Sequence, residues 1–150
     1  MNSKRLLPAI VVVFVGIFAT DFLIHGVWLK SDYAATASLW RPEAEMQKFM
    51  GWLMLGQLLA AITATTLWAR GFAEKGSRAC AAMFGLFMGL FMQANTLITY
   101  AVQPIPSGIA GKWFVAGAMQ GVLLGLLMSV AYKPIPGAGK ESSCADGKGA

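Results

Sequence analysis

The sequence predicts an all-α, polytopic membrane protein of four transmembrane helices with both termini in the cytoplasm. Three observations carry this. Of the 150 residues 57% are apolar and only 13% are charged, about half the charged share of an ordinary soluble domain. Asp, Glu, Lys and Arg are absent from residues 49–69, 79–102 and 113–132, runs of 21, 24 and 20 residues; about 20 apolar residues at ~1.5 Å rise cross a bilayer. A fourth run, 6–29, holds only Asp21 and His25 as titratable groups.

The first span, 6–29, follows Lys4-Arg5 in the manner of a secretory signal. No small-x-small cleavage site ends it, because Phe18-Ala19-Thr20 puts a ring where a small residue is wanted. It is therefore read as a retained span. In the connection 30–48, Pro42 suits the first position of a helix, and Glu43 and Glu45 suit its first turn, beside the positive end of the helix dipole. That helix is expected to continue into span two, 49–69. Residues 70–78 contain Gly71 and Gly76 and read as a tight helical hairpin.

Span three, 79–102, is stopped by Gln103-Pro104-Ile105-Pro106-Ser107-Gly108, where proline cannot extend the hydrogen-bond ladder and Gly108 supplies a turn. Span four, 113–132, ends at Lys133-Pro134-Ile135-Pro136-Gly137. The two Pro-Ile-Pro strings are read as stop signals and not as marks of duplication. Residues 1–136 thus form one four-helix transmembrane domain, and 137–150, rich in Gly, Ser and Lys, form a disordered cytoplasmic tail.

Orientation follows from the basic residues. The N-terminus, the 70–78 connection and the tail hold eight Lys or Arg, against four in the other two connections. The basic excess on cytoplasmic loops sets both termini inside. The net charge of +5 is then a matter of topology and anionic headgroups, and no aromatic-interleaved basic patch points to nucleic acid. Cys80 and Cys144 fall on the reducing side, so no disulfide is expected. One histidine and two widely spaced cysteines offer no structural zinc site.

Membrane helices pack through small residues that let backbones approach. Gly117, Gly121 and Gly125 recur every four residues in span four, as do Ala81, Gly85 and Gly89 in span three. Each series makes one narrow groove, and internal packing of the two is favoured over a homo-oligomer contact because short connections make sequential helices neighbours. Beyond Gly89 the same face of span three continues through Gln93, Thr96, Tyr100 and Gln103. Such a face turns away from lipid, either as packing glue or as the lining of a cavity.

Asp21 and His25 stand four apart, hence on one helical face and able to touch. A carboxylate within the membrane costs about 3 kcal/mol, so such groups have partners and often a role. By helical rise Asp21 and Gln57 lie about 9 Å inside the outer boundary, and Asn95 to Tyr100 lie within about 12 Å of it. Asp21, His25, Gln57, Gln93, Asn95, Thr96 and Tyr100 therefore form the candidate binding or proton-coupling group, in the outer half of the membrane under the first connection.

Met50 and Met54, and Met88 and Met92, repeat at four-residue spacing. Thioethers ligate Cu(I), but methionine at helical spacing is first a gap filler, so no metal or other cofactor is assigned. Trp28, Trp40, Trp52 and Trp113 gather at the outer boundary and Trp68 at the inner, as interfacial anchors. No nucleophile–base arrangement, phosphate loop or dinucleotide fingerprint occurs, and enzymatic activity is not expected.

The strings His25-Gly26-Val27-Trp28-Leu29-Lys30, then Tyr33 through Glu43, and Tyr100-Ala101-Val102-Gln103-Pro104-Ile105-Pro106 resemble those of a family of small uncharacterised bacterial four-helix integral membrane proteins. The likeness runs from span one to span four. It implies the architecture and a bacterial inner membrane, and no substrate. The expected role is a small binding, accessory or assembly component, working with a membrane protein partner or a second copy. The alternative is an oligomeric proton- or cation-coupled transporter or channel component using Asp21.

Overall fold

The computed structural model describes residues 3–73 and 77–133; the expected tail, with Cys144, lies outside them. In chain order the elements are α1 (Ser3–Asp21), a π-helical segment π1 (Phe22–Trp28), α2 (Lys30–Ala35), a 3-10 turn (Ala37–Leu39), α3 (Glu43–Met46), a second 3-10 turn (Gln47–Phe49), α4 (Met50–Gly71), α5 (Arg78–Val102) and α6 (Ser107–Ala131). Four helical stretches, Ser3–Trp28, Glu43–Gly71, Arg78–Val102 and Ser107–Ala131, are long and apolar enough to span a membrane.

Two helix starts differ from the sequence expectation. The carbonyl of Pro42 accepts from the amides of Glu45 and Met46 at 2.9 and 3.0 Å, so Pro42 caps the helix from outside instead of taking its first position. The shift is one residue, within the ordinary latitude of helix ends. At α6 the shift is larger. Pro106, φ −57° and ψ 136°, accepts from the amides of Ile109 and Ala110 at 3.0 and 3.1 Å, so the helix begins at Ser107 and Gly108 lies within its first turn. Lys112 thereby falls within the helix, where its ammonium pairs with Asp32, 2.8 Å away.

Packing follows two spacings. On α1, Ala9, Val13 and Ile17 are buried, four residues apart, and Asp21 continues that stripe. On α4 the buried stripe is Gln57, Ala61, Thr65 and Ala69. α1 packs against both α4 and α6, and α6 packs most extensively against α5. The α5–α6 contact is backbone on backbone: a Cβ on Gly85 would meet the Gly121 carbonyl oxygen at 2.2 Å, and one on Gly125 would meet that of Ala81 at 2.2 Å. On Gly117 a Cβ would strike the Gln93 carboxamide. Only glycine permits this approach.

α4 and α5 meet through Trp68, Phe72 and Phe84, with centroids 5.5 Å apart for Trp68–Phe84 and 4.8 Å for Phe72–Phe84. Trp68 is 1% exposed, so it is core and not the interfacial anchor expected of it; the two phenyl rings cover it. Arg5 donates to the Lys133 carbonyl at 3.1 Å, which puts both described ends of the chain at one end of the bundle. The outward faces are apolar, with Trp52 71%, Phe91 74% and Val102 74% exposed, a surface suited to hydrocarbon.

Candidate functional site

The site is built at the end of the bundle away from the chain ends. Asp21 closes α1 on its inward stripe, where α4 and α6 both reach it. Gln57 Nε2 donates to Asp21 Oδ2 at 2.6 Å and Gln120 Nε2 donates to Asp21 Oδ1 at 2.6 Å. Gln120 Nε2 also donates to Thr20 Oγ1 at 2.7 Å, and the Thr20 hydroxyl in turn donates back to the carbonyls of Gly16 and Ile17. One carboxylate thus ties three helices together. Bonds of this charge-assisted kind are worth about 1.5–3 kcal/mol each. Among the described residues no cationic side chain lies within ion-pair distance of Asp21. The other amide atom of Gln57, Oε1, is buried without a partner.

After Asp21 the helix widens into π1, with the Leu29 amide bonded to the Ile24 carbonyl at 2.9 Å. Gly26 makes room for Phe22, whose ring would stand 3.2 Å from a Cβ there. Single π turns concentrate at functional sites, and Ile24 and His25 of this one line a pocket together with residues of α5 and α6. His25 Nδ1 is hydrogen-bonded to the Tyr33 hydroxyl at 2.5 Å. That hydroxyl also accepts from Trp113 Nε1 at 2.7 Å. Trp113 is only a donor, so the Tyr33 hydroxyl oxygen accepts from it while sharing a hydrogen bond with His25 Nδ1 whose direction follows the imidazole tautomer.

The first connection is fastened over these groups. Lys112 reaches both carboxylate oxygens of Asp32 at 2.8 Å. Trp40 donates to Thr36 Oγ1 at 2.8 Å, and its ring lies 5.2 Å from that of Tyr33 and 5.8 Å from that of Trp113. Burial pushes the Tyr33 phenol above its ordinary value of 10.0, with the Trp113 bond opposing and the Asp32 charge adding to the rise.

Beneath lies a cavity of about 210 Å³. His25, Gln93, Thr96, Trp113 and Gln120 give it polar walls, with Ala116 and Gly117 among its small residues. Thr96 donates to Gln93 Oε1 at 2.7 Å.

Of the residues singled out in the sequence, the structure joins Asp21 to Gln57 and brings His25, Gln93 and Thr96 to the cavity. Asp21 and His25 have separate hydrogen-bond partners. Asn95 and Tyr100 stand apart: both are exposed, and Asn95 takes part through its carbonyl, which accepts from Thr99. Met50 and Met92 are exposed and Met88 packs against the core. The sequence reading missed Gln120 and Tyr33. Gln120 carried a usable signal, being a carboxamide inside a charge-free span like Gln57 and Gln93. Tyr33 carried none, because its partners lie in π1 and α6. The chain matches no protein-family model, no curated protein and no solved structure.

Proposed function

We propose that this chain is a multi-pass protein of the bacterial cytoplasmic membrane, with both termini inside, that acts by binding. Its site is the polar cavity in the outer half of the membrane, and its role is that of a small binding, accessory or assembly component. The basic residues on the connections support the orientation. The observation that carries the reading is Asp21, held by amides from two other helices beside a cavity with polar walls. Four spans can pack without a carboxylate inside one of them, and retaining one costs about 3 kcal/mol, which is the mark of use. The reading is non-enzymatic.

Native mass spectrometry after gentle extraction tests it. The parent is expected to carry a bound small molecule or a stoichiometric partner, and Gln120→Leu is expected to lose it. A bare, solitary parent chain refutes the proposal.

A second reading, proton- or cation-coupled transport, is favoured by the absence of an opposite charge at Asp21. Asp21→Asn is a clean probe of it. Turning the Gln57 carboxamide over would offer its unpartnered Oε1 to the new Asn amide, so every hydrogen bond is kept and only charge is lost. Loss of pH-driven flux in vesicles without loss of folding would establish transport; unchanged flux excludes it.

A further inference from the structure

We propose that the cavity beside Asp21 takes a small uncharged molecule carrying both hydrogen-bond donors and acceptors, such as a carboxamide. This rests on the binding reading above and names its ligand class. Hydrogen bonds to neighbours fix which atoms of Gln120, Thr96 and Gln93 stay free to meet a ligand. The Gln120 amino group is used by Thr20 and Asp21, which leaves its Oε1 as an acceptor. Thr96 donates its hydrogen to Gln93 Oε1, which leaves the Thr96 lone pairs as acceptors and the Gln93 amino group as a donor. The His25 ring nitrogen Nε2 adds a third polar group, its Nδ1 being engaged by Tyr33. The walls therefore offer both kinds of group, and no carboxylate, ammonium or guanidinium is among them.

Charged ligands fit worse. An anion meets the carboxylate of Asp21 directly behind Gln120, with no cation to offset it. A cation meets the Gln93 amino group, while the carboxylate oxygens that would attract it face Gln57 and Gln120 instead. An uncharged ligand also avoids carrying charge into a medium of low dielectric constant. The volume of about 210 Å³ is room for a small organic solute.

Saturation-transfer NMR on the full chain in nanodiscs, with propionamide, propionate and propylammonium as probes, tests this. Propionamide is expected to bind saturably and at least tenfold more tightly than either charged probe. Gln93→Leu, which removes the donor of the wall, is expected to weaken propionamide about tenfold, and a Gly111→Ala control is expected to leave it unchanged. Tighter binding of propylammonium or propionate overturns the ligand class and leaves the binding reading intact. Binding of no probe by a parent that still carries an extracted molecule or partner overturns the class alone. If the parent is also bare, both fall. Propionamide binding unaffected by Gln93→Leu overturns the proposal.

Discussion

Replacing Gly121 by alanine tests the helix contact on which the cavity stands. A Cβ there would lie 2.4 Å from the Gly85 carbonyl oxygen and 2.7 Å from the Gly89 Cα, against an ordinary contact of 3.4 Å or more. Both obstacles are backbone, so no side chain can turn aside, and α5 and α6 must part by 3.4 − 2.4 = 1.0 Å along that line. Overpacking costs about 1–3 kcal/mol, and two backbone clashes put this site at the upper end. Removing a glycine from a helix returns at most about 1 kcal/mol, leaving a net loss of about 2 kcal/mol. Gly111→Ala is the matched control: nothing lies within 4 Å of its Cβ, so it is expected to be neutral or to gain up to about 1 kcal/mol. Reversible unfolding in mixed micelles by denaturing detergent, followed by circular dichroism, measures both. Equal stability of the two variants would refute the close α5–α6 approach. The same displacement carries Gln93 and Thr96 away from Gln120, so ligand retention should fall along with stability.

Two further outcomes follow from the site. Gln120→Leu strips one donor from Asp21 and one from Thr20, and should cost about 2–3 kcal/mol; adding Asp21→Asn to that variant should recover most of the loss, and no recovery in the same unfolding measurement would show that the carboxylate was not the group left wanting. The Tyr33 phenol, raised chiefly by burial, should titrate above its ordinary value. Because the folded chain favours the protonated phenol, its contribution to stability is present below pH about 10 and is lost as pH rises through the folded value. Near-ultraviolet phenolate absorbance, taken as the difference between parent and Tyr33→Phe, measures this, and titration at or below the ordinary value counts against the buried hydroxyl.

Residue composition and order alone determined the four helical stretches, because hydropathy over about 20 residues and proline stops act locally and need no knowledge of neighbours. The glycine series on spans three and four was legible for a related reason: a four-residue repeat is a property of one helix. So was the inward setting of Asp21, which continues the stripe of Ala9, Val13 and Ile17. The partners of that carboxylate were not legible. A helical wheel shows which residues share a face, while the pairing of faces depends on which helices lie side by side, and α6 sits between α1 and α5. That placement brought Gln120 to Asp21 and left Asn95 and Tyr100 outside. It also set Trp113, distant in the chain, against Tyr33, so that one hydroxyl joins α6 to His25, a contact between residues that no local pattern relates.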